Sequence, residues 1–264
     1  MLKTGLYLVM TTLLLVMTLM LAGCGGGGGG EGALSSAATL GLAVNKTTVA
    51  SGTDTVTATV TLTSLNSQPV NGVSVTVDMT YNGTVIGSYS GNTNTNGIVA
   101  IVVPVALVPA DRTVYLQARS SGVTSSSSLA IAVKMPVLTV TLADGTATTT
   151  TAGVETGITF SGAGVLFADY NGNGFNAATV RFTYTSNSGS AGKLYHNGSE
   201  MAVNDYFEVI TDSSGYATFN LAGTTVSPAS GNTNATTFNY TVSTTYMGIT
   251  YTKQGSVSVE ITTS

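Results

Sequence analysis

From Thr53 to Thr63 every second residue is threonine, and the residues between them are Asp54, Val56, Ala58, Val60 and Leu62. Successive side chains of an extended chain point to opposite sides, so this run has one hydroxyl face and one apolar face, the pattern of a half-buried β-strand. Its β-branched residues favour the same geometry. Val73, Val75, Val77 and Met79 alternate in the same way, Asn82-Gly83 offers a tight hairpin turn, and Val85 to Tyr89 returns. After a polar turn at 92–97, Ile98 to Val103 is apolar throughout until Pro104 ends it. Such a run predicts a strand buried on both faces or packed at a sheet centre. Val114, Leu116 and Ala118 alternate again, as do Leu129, Ile131 and Val133. Short strands with turn signals every 8–12 residues or so predict a β-sandwich.

Lys134-Met135-Pro136 marks a boundary, after which the pattern restarts with Leu138, Val140 and Leu142 and runs to Val257, Val259 and Ile261. The expected class is all-β, with one sandwich over 38–134 and a second over 135–264; a single large sandwich is the competing count. The two halves also resemble each other. Val70-Asn71-Gly72-Val73 aligns with Phe175-Asn176-Ala177-Ala178, and Gly97 aligns with Gly215. The second copy is longer by about a dozen residues between these landmarks, which predicts an inserted hairpin near 193–205 turning at Asn197-Gly198.

These motifs resemble the bacterial immunoglobulin-like domains of the invasin and intimin type. Gln68-Pro69-Val70-Asn71-Gly72-Val73 matches that family's first strand motif in copy one, and Thr211-Asp212-Ser213-Ser214-Gly215-Tyr216-Ala217 matches its turn motif in copy two. Each copy is good in one motif and degenerate in the other. The resemblance implies tandem immunoglobulin-like sandwiches that serve as stalks, spacers or adhesive tips on bacterial surfaces, and fold alone does not choose among these roles.

Ahead of the first strand lie Lys3, an apolar stretch from Leu6 to Leu21, and Leu21-Ala22-Gly23-Cys24 followed by six glycines. A stretch of this length with small residues at its end reads as a cleaved signal peptide over 1–23. Leu21, Ala22, Gly23 and Cys24 resemble a bacterial lipobox. The resemblance implies a lipoprotein whose Cys24 thiol carries diacylglycerol, with palmitate-type chains as the membrane anchor; an uncleaved helix or an unmodified cysteine are the alternatives. Residues 24–37 form a flexible glycine-rich linker with an r.m.s. reach of roughly 20 Å. Gly25 stands where an aspartate would signal retention at the inner membrane in that family, so the expected address is the cell envelope, at the outer membrane if the cell has one.

Charged residues are 8% of the chain and the formal net charge is −4. With no basic patch, nucleic acid is not an expected partner. Cys24 is the single cysteine, so no disulfide is expected within the chain. His196 is the single histidine, beside an Asn-Gly turn, which reads as an exposed turn residue and leaves little for a histidine metal cluster or a serine triad. Glu200, Asp205 and Glu208 near the inserted hairpin are read as solvated acids, with an acid/base pair as the alternative. Asp169-Tyr170-Asn171-Gly172-Asn173-Gly174 has the alternating oxygens and glycine of half a calcium loop. Asp169, Asn171 and Asn173 would be the ligands, but Val180 stands where the closing carboxylate belongs, and a plain Asx-rich turn is the competing reading. Tyr170, Tyr195 and Tyr206 are candidates for stacking on a sugar or a partner, as are Tyr246 and Tyr251; capping the core is the alternative.

The expected function is non-enzymatic: a surface lipoprotein, with no cofactor beyond its lipid and possible calcium, serving as a structural spacer or adhesion module. The second sandwich would present its hairpin and the Asp169 loop outward. A carbohydrate- or polymer-binding module and an accessory subunit of a larger envelope complex are the alternatives. Partners would be the membrane through the lipid, and a protein or glycan at the cell surface.

Overall fold

The computed structural model describes residues 38–264 apart from Gly122, Ser125 and Ser126. The expected signal peptide, the lipobox residues Leu21, Ala22 and Gly23, the expected lipidation residue Cys24 and the expected linker lie outside the described residues. Nine strands occupy the first half: β1 (Thr39–Val44), β2 (Thr48–Ala50), β3 (Thr55–Thr63), β4 (Ser74–Tyr81), β5 (Thr84–Asn92), β6 (Ile98–Pro104), β7 (Arg112–Ser120), β8 (Val123–Thr124) and β9 (Leu129–Lys134). They form a three-stranded sheet ordered β1-β3-β6, facing a larger sheet ordered β2-β9-β7-β4-β5, with β8 on β7. The first strand is split between the sheets. β1 pairs antiparallel with β3, and β2 then crosses to pair in parallel with β9, the last strand. This connectivity is that of an immunoglobulin-like sandwich.

The alternation decides the core. Val56, Ala58, Val60 and Leu62 of β3 are at most 1% exposed, while the intervening threonines are half-buried or exposed. Val75, Val77, Val114, Leu116, Ile131 and Val133 meet them from the other sheet. β6 departs from expectation. It ends its sheet and pairs with β3 on one side. Val99, Ile101 and Val103 face the core, but Ile98, Ala100, Val102 and Pro104 face outward, with Val102 59% exposed. Its continuous apolar run is therefore a half-buried edge strand with an apolar outer face, not a strand covered on both sides.

The second half contains β10 (Val137–Thr141), β11 (Gly145–Thr149), β12 (Glu155–Thr159), β13 (Gly164–Ala168), β14 (Thr179–Gly189), β15 (Leu194–His196), β16 (Ser199–Met201), β17 (Tyr206–Ile210), β18 (Tyr216–Thr218), β19 (Leu221–Val226), β20 (Thr233–Tyr246) and β21 (Ile249–Thr263). Sheets β10-β13-β18 and β12-β19-β15-β16 lie opposite the five-stranded β11-β21-β20-β14-β17. β11 again pairs in parallel with the last strand. A separate core is built on Phe167, Phe182, Phe238, Leu194, Leu221 and Ile261, and it is richer in aromatic rings than the first.

The insertion is a hairpin, β15–β16, turning through Asn197 (φ 50°) and Gly198 (φ 80°). Two successive positive φ values define the turn that matches strand twist, which is why Asn-Gly occupies it. β15 pairs with β19 rather than extending the sheet of β14. His196 is consequently not a free turn residue: it is half-buried and stacks on Phe207 of the facing sheet, centroids 3.7 Å apart and rings 6° from parallel. Burial lowers its pKa.

Candidate functional site

The two halves carry the same turn, built from the same atoms. Thr93 is 3% exposed and Thr211 is 2% exposed. The Thr93 hydroxyl donates to the Val70 carbonyl at 2.7 Å and accepts from the Val73 amide at 3.0 Å. Thr211 donates to the Phe175 carbonyl at 2.6 Å and accepts from the Ala178 amide at 2.9 Å. Val70 and Val73 are the residues that align with Phe175 and Ala178. One residue on, the Asn94 side chain accepts from the amides of Asn96 and Ile98, and the Asp212 carboxylate accepts from those of Ser214 and Tyr216. The Ser214 hydroxyl, the Tyr216 amide and the Ser214 amide together hold the Asp212 carboxyl below its usual range. The turn motif in the sequence includes Thr211 as its first residue but does not show that its hydroxyl clamps two strands, or that Thr93 does the same in the first half.

The Asp169 loop sits at the joint between the sandwiches. Asp169 is 3% exposed, so it is not presented outward as its polar sequence suggested. One carboxylate oxygen accepts from the amides of Asn171 and Asn173, both at 2.8 Å. The other accepts from Asn173 Nδ2 at 2.9 Å and, from the first sandwich, Thr53 Oγ1 at 2.7 Å. Burial pushes the Asp169 pKa up, but these bonds outweigh it and leave the group below the usual carboxylate range. Asn171 donates through Nδ2 to Asp54 Oδ2 at 3.0 Å. Asp54 also accepts from Lys46 Nζ at 2.7 Å and from the Ala50 amide at 2.9 Å, and the Lys46 bond leads in lowering its pKa to about 2.

The loop is held from behind by backbone. A Cβ on Gly174 would overlap the carbonyl of Ser214, and Gly215 (φ 77°) lies against the Phe167 carbonyl, so the loop and the turn of Asp212 touch where neither tolerates a side chain. Calcium requires six to eight converging oxygens. Here both Asp169 oxygens are spent on N–H and O–H donors and the Asn171 amide points its nitrogen at Asp54, so the residues as folded do not fit that ion. Among the described residues no group of three or more His, Asp or Glu side chains is placed to hold a metal.

A second contact joins the sandwiches. Tyr251 on β21 is 4% exposed and donates its hydroxyl to the Val108 carbonyl at 3.2 Å. It stands in a ring cluster with Phe167, Phe175 and Tyr246, so Tyr246 and Tyr251 are packing residues rather than a stacking platform. Met247 and Ile249, at the tip of the β20–β21 hairpin, close one wall of an open cleft of about 580 Å³, whose other walls include Met79, Tyr89, Pro104 and Arg112.

The remaining candidates do not converge. Tyr170 lies at the joint, 51% exposed, with Lys134 Nζ 6.0 Å from its ring centre. Tyr195 lies on β15 with its hydroxyl 3.3 Å from Glu155, and Tyr206, 56% exposed, lies on β17 in the facing sheet under the Arg181 guanidinium. These three tyrosines therefore share no face. Glu200 pairs with Lys193, Glu208 with Arg181, and Asp205 accepts from the Ala202 amide. Each acid is committed to a local partner.

No protein-family model matches the sequence, and no curated protein matches it. Solved structures are similar at low identity. Invasin, described as a bacterial integrin-binding protein, is 16% identical with a TM-score of 0.36 over 86% of this chain and 40% of its own. InvD of Yersinia pseudotuberculosis is 16% identical with a TM-score of 0.30 over 86% of this chain and 58% of its own. The α-2-macroglobulin of Escherichia coli is 15% identical with a TM-score of 0.32, and this chain spans 87% of itself but 14% of that protein. The chain thus spans less than two thirds of each of these three proteins.

Proposed function

We propose that this chain is a non-enzymatic lipoprotein of the bacterial envelope, a structural spacer or adhesion module held to the membrane through Cys24. The observation that carries the reading is the joint. Loop 169–174, whose polar sequence suits a ligand site, instead spends its side chains on Thr53 and Asp54 of the other sandwich. A protein that must hold one surface at a defined place relative to another needs such a fixed connection. The candidate acids Glu200, Glu208 and Asp205 are tied to lysine, arginine and backbone in turn.

The test is fractionation of cells expressing the full chain. Wild type is expected in the membrane fraction, at the outer membrane where the cell has one, and Cys24→Ala is expected to move the mature protein to the soluble fraction with an unchanged melting temperature. Membrane attachment that survives Cys24→Ala would overturn the anchoring. Crosslinking on intact cells then separates the roles: neighbouring-cell or matrix material joined to residues 135–264 supports adhesion, and one stoichiometric envelope partner replaces it with an accessory subunit.

A further inference from the structure

The internal duplication shows an edge that one sandwich covers and the other leaves open. Gly97 and Gly215 are equivalent, so β6 corresponds to β18 and the start of β19. In the second sandwich the outer side of that strand is paired: Asn220 accepts from the Asn197 amide, Ala222 faces Tyr195, and Thr224 donates to the Lys193 carbonyl at 2.8 Å. The inserted hairpin is what covers it. The equivalent residues of β6 are Val102 for Asn220 and Pro104 for Ala222. Among the described residues no strand pairs with β6 on that side.

The phase of the ladder fixes which groups are left over. Leu62 donates to the Gly97 carbonyl, so alternation aims the polar backbone groups of Val99, Ile101 and Val103 at β3 and those of Ala100 and Val102 away from it. At Ile98 the outward groups are already taken: Asn94 accepts from its amide and donates to its carbonyl. Pro104 has no amide to give. The unsatisfied stretch is therefore Ala100 to Val102, symmetric about Ile101. Exposed edges are ordinarily protected by charge, bulges or proline, yet Ile98–Pro104 contains no charged residue and its outer face is Ile98, Ala100, Val102 and Pro104.

We propose that β6 pairs with β6 of a second copy of this chain, antiparallel and two-fold about Ile101, with Ala100 opposite Val102 of the other copy. This register satisfies the outward amides and carbonyls of Ala100 and Val102 in both copies and sets their apolar outer stripes side by side. The uncharged edge matches itself, and an antiparallel strand is what the second sandwich lays on the same edge. The symmetry is that of a closed dimer.

Sedimentation of the full chain in detergent across a wide concentration range tests the pairing. Wild type is expected to dimerise. Val102→Lys and Ala100→Pro, both compatible with an exposed edge strand, are expected to weaken association by at least about tenfold while unfolding at the wild-type temperature. Ile210→Lys, on an exposed edge of the second sandwich, is expected to leave the dimer intact. A wild-type chain that stays monomeric overturns the proposal. So does a dimer that survives both β6 variants, and so does one abolished by Cys24→Ala alone, which would assign association to the lipid.

Discussion

At the scale of single residues, the clearest structural information lies in two buried hydroxyls. Thr93 and Thr211 each satisfy one amide and one carbonyl that no other group reaches in the same turn. Valine has nearly the same shape and neither hydrogen bond, so Thr211→Val leaves a buried donor and acceptor orphaned at a cost of about 1–3 kcal/mol. Thr93→Val is expected to cost the same in the first sandwich. Urea unfolding of each variant measures it, and a change of only a few tenths would mean the hydroxyls are incidental. Thr211 is legible only as the first residue of a turn motif and Thr93 not at all, because threonine is so common on the outer faces that a buried one does not stand out. The glycines four residues later were visible only because turn geometry limits what can occupy them.

At the scale of elements, strand existence was legible and strand surroundings were not. Period two located β3, β4, β7 and β9 because it follows from backbone geometry alone. The run at β6 misled for a physical reason: an apolar outer face reads the same whether another layer, another chain or solvent lies against it. The inserted hairpin was legible from Asn197-Gly198 and from the extra length of the second copy, but not that it would join β19. The joint was illegible, since Thr53 and Asp169 meet across 116 positions. Its bonds make a prediction. Asp54 and Asp169 both have depressed pKa values in the folded chain, so their contribution is complete above the ordinary carboxylate pKa and is lost as pH falls through the folded values, towards about 2 for Asp54. Calorimetry at neutral pH is expected to show the sandwiches melting together and, near the bottom of that window, separately. Thr53→Val combined with Asn171→Ala is expected to separate the transitions at neutral pH, removing about 1.5–3 kcal/mol of coupling per charged hydrogen bond. Joint melting in that double variant would show that Tyr251 and the hairpin tip suffice.

At the scale of the whole molecule, the described residues from 38 onward behave as one compact unit with two cores. The joint draws on both halves of the chain, Thr53 and Asp54 before the open edge of β6 and Asp169 and Asn171 after it. The two sandwiches share the parallel pairing of an early strand with the last strand, β2 on β9 and β11 on β21. A load pulling the two ends of either sandwich apart runs along these paired strands and across their hydrogen-bond rungs, so the rungs shear as a set instead of unzipping one by one. Single-molecule stretching of the full chain is expected to give two discrete force peaks. Ser51→Pro, which removes the amide that donates to the Lys134 carbonyl at the end of the β2–β9 ladder, is expected to lower one peak and spare the other. Resistance to such a load is then set by two short parallel ladders, Thr48–Ala50 on β9 and Gly145–Thr149 on β21.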